Sequence, residues 1–121
     1  MSTFWDGPAA GVSLMIRRTP LVLRLAQDAA NDWDVLEQFT DKPDPGDKLY
    51  VYMRASTSAQ VHLCIGGWFS FADYRIAPEQ PRDDQMRETP AWNEWCEANR
   101  TRILEWCAPV IGDSKVVGPT N

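Results

Sequence analysis

The sequence predicts a single α+β domain, an antiparallel sheet of four to five strands with one C-terminal amphipathic helix packed on one face. Three observations carry this reading. The 121 residues, 44 % apolar and 24 % charged, suffice for one soluble globular core without disulfides or metal. Several segments between residues 21 and 76, namely 21–26, 48–54, 61–65 and 68–76, alternate their side chains with the period of two that marks strands. The stretch from about Thr89 to Ala108 instead has helical periodicity.

In chain order, residues 1–11 contain Gly7, Pro8 and Gly11 and read as an irregular lead-in, with Phe4 and Trp5 able to tuck onto the core. Val12–Arg18 is a mostly apolar, β-like run. Thr19-Pro20 must then be a turn, a bulge or an edge, because proline donates nothing to a ladder. Leu21, Leu23 and Leu25 alternate with Val22, Arg24 and Ala26. Residues 31–39 fit two readings: a short helix capped by Asn31 or Asp32 with Val35, Leu36 and Phe39 inward, or a strand returning through a turn at 28–31. Asp41–Asp47 is a turn-rich loop on either reading. From Lys48 to Arg54, Leu49, Val51 and Met53 share one face and Tyr50, Tyr52 and Arg54 the other.

Gly66-Gly67 reads as a two-residue hairpin turn, whose central positions need positive φ. That turn would pair Ile65 with Trp68, Leu63 with Ser70 and Val61 with Ala72. Ala77–Glu88, with Pro78, Pro81 and Asp83-Asp84, connects sheet to helix. The helix starts with Thr89 as cap and Pro90 in first position. Its apolar stripe is Trp92, Trp95, Cys96, Ile103, Trp106 and Cys107, while Glu94, Glu97, Thr101 and Glu105 face away. Asn99 lies within the stripe and is expected to bond to backbone. The ends, 1–11 and about 109–121, are expected to be irregular.

The net charge of -5 opposes nucleic-acid binding, which depends on neutralising phosphates. Residues 28–47 hold seven acids against one lysine. Such a stretch reads either as a solvated face or as a docking site for a basic partner. No early positive segment with a following apolar run opens the chain, so a cytoplasmic location is expected. Ala55–Ala72 lacks Asp, Glu, Lys and Arg, yet its Ser, Thr, Gln, His and paired glycines read as two strands rather than a membrane span. Three cysteines without framework spacing suit reduced thiols.

Chemistry-bearing patterns are sparse. His62 with Cys64, Cys96 and Cys107 has the composition of a zinc site, but Cys96 and Cys107 would stand about 16 Å apart on one helix, so no metal site is expected. His62 and Cys64, two apart on one strand with Asp73 near Gln60 on the neighbouring strand, are the weak catalytic alternative to a small core thiol and a packed imidazole. No glycine-rich phosphate loop is present, and no cofactor is expected. Asp41, Asp44 and Asp47 lack the order of a calcium loop. Six tryptophans exceed what the helix stripe uses, and Trp is common at interface hot spots.

Leu14–Leu25, Asp41–Tyr52 and Gly66–Tyr74, together with nine Arg against three Lys and eleven Asp against six Glu, resemble the small orphan proteins of actinobacterial phages and prophages. The resemblance spans most of the chain. It implies a short accessory protein that binds a host or phage protein, and it assigns no site residues.

The leading expectation is therefore a non-enzymatic protein-binding protein, using Trp68 and Phe69 beside the hairpin turn and Asp41, Asp44 and Asp47 on the acidic loop. The alternatives are a small enzyme using His62 and Cys64, and a ligand pocket between sheet and helix lined by Tyr50, Tyr52 and the helix tryptophans. Homodimerisation through an edge strand is compatible with all three.

Overall fold

The computed structural model describes residues 2–64 and 67–109, and the side chains of these residues outside 58–71. Its strands are β1 (Ser2–Phe4), β2 (Ser13–Leu14), β3 (Val22–Gln27), β4 (Trp33–Leu36), β5 (Lys48–Cys64) and β6 (Gly67–Ile76). Its helices are α1 (Asp83–Arg87), α2 (Thr89–Ala98) and α3 (Arg100–Trp106). The strands form one sheet in the order β2-β1-β6-β5-β3-β4. The sheet curls until it nearly closes on itself, and the helices pack on its outside.

The α+β class holds, and several details are corrected. The sheet has six strands rather than four to five. It is also not wholly antiparallel, because β1 runs parallel to β6 with Thr3 opposite Asp73. The expected irregular lead-in is thus a strand, followed by a 3-10 turn at Gly7–Ala9. The β-like run 12–18 contributes only Ser13 and Leu14 to the ladder. Residues 33–36 are strand, returning from β3 through Asp28, whose carboxylate accepts from the N–H of Ala30 and Asp32 at 2.8 and 2.9 Å. Asn31 takes the left-handed φ of 66° that closes this turn.

The β5–β6 register also differs from expectation. Leu63 pairs with Trp68 and Val61 with Ser70, so Gly67 belongs to the strand opposite Cys64. The expected turn glycine Gly66 lies outside the described residues. Two register shifts, between Arg54 and Ser56 and between Thr57 and Val61, bend the seventeen-residue β5. Bulges of this kind increase twist and let a sheet curl.

Strand alternation sorts the side chains into two cores. Phe4, Ile16, Leu23, Leu25, Tyr52 and Tyr74 fill the inside of the curled sheet. Leu49, Val51 and Met53 of β5 point outward onto Trp92, Trp95, Cys96 and Ile103. Both faces of the sheet are therefore covered, which explains the runs of apolar residues on neighbouring positions. Burying a side chain of this size stabilises by roughly 1.5–3 kcal/mol.

The single expected helix is divided. The Nδ2 of Asn99 donates to the Trp95 carbonyl at 2.8 Å, the same oxygen that accepts the Asn99 N–H at 3.0 Å. An amide side chain competing for a helical carbonyl bends the turn it bonds to. The backbone bond from the Ile103 N–H to the Asn99 carbonyl carries the path onward into α3. The expected bonding of Asn99 to backbone holds. At the start, Glu88 takes the cap position and Thr89 the first helical one, with the Thr89 hydroxyl buried and unpartnered, so the expected Thr89 cap is displaced by one residue. The connection from sheet to helix is itself partly helical, as α1.

Among the described residues, no helix is long and apolar enough to cross a membrane.

Candidate docking groove

The Thr19-Pro20 corner feeds β3. Thr19 is buried and holds φ at 41°, a conformation costly for a β-branched residue. Three groups hold it there. Arg54 Nη1 donates to the Thr19 carbonyl at 3.0 Å, the Tyr74 hydroxyl donates to the Pro20 carbonyl at 2.7 Å, and the Arg54 N–H donates to the Leu21 carbonyl at 2.8 Å. The Leu21 carbonyl also accepts from the Cys107 thiol at 3.1 Å. The corner is thereby tied both to the inside of the sheet and to the end of α3.

Pro20, Leu21 and Val22 form one side of a groove of about 320 Å³, and Cys96, Ile103 and Leu104 of α2 and α3 form the other. Phe39, from the loop after β4, also lines it. The lining is mostly apolar, with the exposed Glu97 and Arg100 as its charged members. Three large hydrophobic side chains stand exposed among the described residues, and two of them, Phe39 at 49 % and Leu104 at 56 %, lie in this groove. The third, Trp5, is elsewhere. An exposed apolar patch rimmed by charge is the usual mark of a docking surface.

The Phe39 loop is held from beneath. Arg24, fully buried on the outer face of β3, donates to the carbonyls of Met86 at 2.6 Å, Asp41 at 2.8 Å, Gln38 at 3.3 Å and Phe39 at 3.5 Å. Its pKa is lowered by burial, with Cys96 and Asp41 opposing that shift, and it remains a cation at neutral pH. The Cys96 thiol is pushed up to about 12, chiefly by burial and in spite of Arg24 beside it. It is therefore a neutral, weakly nucleophilic thiol, and the groove floor behaves as a hydrophobic slot.

The residues singled out in the sequence are dispersed. Asp41 is half-buried, and its carboxylate accepts from the Gln38 N–H at 3.0 Å. Asp47 is buried, with its carbonyl taken by Arg87. Asp44 alone of the three is fully exposed. Asp41 thus braces its own loop through its carboxylate, Asp47 is held through its backbone, and the two do not form one acidic face with Asp44. Trp68 and Phe69 sit on β6 opposite Leu63 and His62, and their side chains lie outside the described ones, as do those of His62 and Cys64.

Asp73 pairs with Ser56, whose hydroxyl lies 3.2 Å from the Asp73 carboxylate. That correction moves Asp73 from Gln60 to Ser56, and His62 pairs with Phe69, four residues from Asp73 along β6, about 13 Å at strand rise. The expected aromatic pocket is also corrected. Tyr50 and Tyr52 belong to the inner core, on the opposite face of the sheet from Trp92 and Trp95. The Tyr52 hydroxyl donates to the Asp6 carbonyl at 2.8 Å and accepts from the Ala9 N–H at 2.9 Å.

The groove itself was missed from sequence. Leu104 lies about 60° beyond the edge of the helix stripe, an apolar residue on the polar side, and that was the available signal. Phe39 had none, because its exposure depends on where the loop is pulled.

The chain matches no protein-family model, no curated protein and no solved structure.

Proposed function

We propose that this chain is a non-enzymatic accessory protein, phage-encoded, that acts by binding a host or phage protein. The observation that carries the reading is the pairing of Phe39 and Leu104, both exposed, across one apolar groove. A partner side chain or helix edge seated there would remove both from water and gain roughly 25 cal/mol for each Å² of apolar surface covered. Asp44, exposed on the loop that follows Phe39, favours partners carrying basic residues beside their apolar anchor.

The test is capture from an actinobacterial lysate by tagged wild type and by a Phe39→Ser/Leu104→Ser variant, with the bound proteins identified by mass spectrometry. A stoichiometric partner retained by wild type at moderate salt and lost by the folded variant supports the reading. Equal capture by both proteins, or no specific partner with either, overturns it.

A further inference from the structure

Among the described residues the outer edge of β4 is unpaired, and it forms a second surface, independent of the groove. The N–H of Asp28 donates to the carbonyl of Asp32 at 3.1 Å, so residues 28 and 32 form a hydrogen-bonded pair across the β3–β4 hairpin. The register continues through Ala26 opposite Asp34 and Arg24 opposite Leu36. Antiparallel ladders alternate, so Asp34 and Leu36 turn their backbone groups toward β3, whereas Trp33 and Val35 turn theirs away. The bond from the Arg54 N–H to the Leu21 carbonyl agrees, since it assigns the odd residues of β3 to β5. β4 is the last strand in the sheet order, so among the described residues no strand meets the outward N–H and C=O groups of Trp33 and Val35.

The space beside this edge is open. A cleft of about 430 Å³ separates β4 from the segment Leu14–Arg17, with Trp33, Asp34, Val35 and Glu37 on the β4 wall. Trp33 and Val35 are half-buried against the inner core, and Asp34 is exposed on the other face. At one end the cleft is tied by the Arg18 N–H donating to the Glu37 carboxylate.

We infer that β4 accepts an extended segment of a partner protein as a further strand, and that this segment alternates apolar with basic residues. Residues facing the inside, level with Trp33 and Val35, need to be apolar to continue the inner core. Residues facing outward lie beside Asp34, on the face that Asp32 shares, in a stretch 28–37 with no Lys or Arg, whereas Arg17 stands across the cleft on the Leu14–Arg17 wall. Cross-strand neighbours of opposite charge stabilise a pair, and like charges destabilise it. The same rule disfavours a second copy of this chain, whose β4 would bring acid against acid. Main-chain bonds would supply affinity and the alternation specificity, as in strand addition generally.

The probes are three seven-residue capped peptides: alternating Val and Lys, alternating Val and Glu, and the Val–Lys peptide N-methylated at alternate residues. Binding is read from the amide spectrum of the labelled protein. The expected result is saturable shifts centred on Trp33, Asp34 and Val35, with Val–Lys about tenfold tighter than Val–Glu and no binding by the N-methylated form. Asp34→Lys should reverse the charge preference. Amide exchange of the wild-type chain alone should be fast at Trp33 and Val35 and slow at Asp34 and Leu36. Equal binding of both charge patterns overturns the inference, as does the absence of saturable binding. Shifts centred on the Phe39–Leu104 groove overturn it too, as does protection of the Trp33 and Val35 amides by self-association.

Discussion

The guanidinium carbon of Arg24 stands 5.1 Å from the centroid of the Trp92 ring, on the outer face of the sheet. Trp92 in turn stacks on Trp95, with centroids 5.4 Å apart and planes 8° from parallel. One cation thus joins β3, the end of α1, the Phe39 loop and the aromatic face of α2. Two further arginines act similarly at the end of α3: Arg54 Nη2 donates to the Ala108 carbonyl at 3.0 Å and Arg75 to that of Trp106 at 2.6 Å. Carbonyls left over at helix ends need such donors when buried.

Arg24→Met keeps much of the side-chain volume and removes the donors to four carbonyls. The expected loss is about 3 kcal/mol or more in urea unfolding. Arg24→Lys should recover only part of it, because an ammonium cannot span acceptors fixed by a planar fork. Partner capture through the groove should weaken in both variants, since the Phe39 loop loses its anchor.

Gly7→Ala should destabilise by roughly 1–3 kcal/mol in thermal or urea unfolding. Gly7 holds φ at 68°, and a Cβ there would stand 2.7 Å from the Tyr52 hydroxyl and 3.0 Å from Cβ of Ile76. The substitution strains the backbone and pushes on the hydroxyl that bonds Asp6 and Ala9. Ala10 is exposed just beyond the 3-10 turn, so Ala10→Ser should leave the midpoint unchanged and serve as control.

Thr19→Asn should raise stability by about 1 kcal/mol, because Asn tolerates the left-handed region that a β-branched residue resists. Thr19→Val keeps the branching and should give no such gain. Equal unfolding midpoints for Asn and Val would show that the corner carries no strain.

Cys96 should make stability fall at alkaline pH. Its thiol ionises near 9.0 in the unfolded chain and is pushed up to about 12 in the folded one. The folded state therefore holds the proton that the unfolded state loses. Its contribution is fully present below about pH 9 and is lost as pH rises toward 12. Burial also raises Tyr74, which acts in the same direction at higher pH. Urea midpoints measured from pH 8 to 11 should fall, and less steeply in Cys96→Ala. In the native protein at neutral pH, iodoacetamide should modify Cys96 far more slowly than it does in urea.

Much of the fold was legible because it rests on short-range periodicity. The division of Lys48–Arg54 into an outer face of Leu49, Val51 and Met53 and an inner face of Tyr50 and Tyr52 follows from the pleat alone. The helix stripe likewise placed Trp92, Trp95, Cys96 and Ile103 in the core, where all four are buried. Of the candidate site, the sequence marked the acidic loop, yet it could not tell that the Asp41 carboxylate braces the loop, that Asp47 is buried and that Asp44 faces water. That depends on Arg24 and Arg87 arriving from elsewhere in the chain.

By itself the sequence determined the α+β class, the faces of β3 and of Lys48–Met53, and a helical region from about Thr89 that ends before Pro109. These follow from side-chain period, proline chemistry and turn residues, all of which act within a few positions. Only the tertiary structure decided that Ser2–Phe4 joins the sheet parallel to β6, with Thr3 opposite Asp73, that the bent β5 curls the sheet almost closed, and that Phe39 and Leu104 meet at one groove. Pairing between segments seventy residues apart depends on loop closure and on which edge remains free, and no local pattern records either.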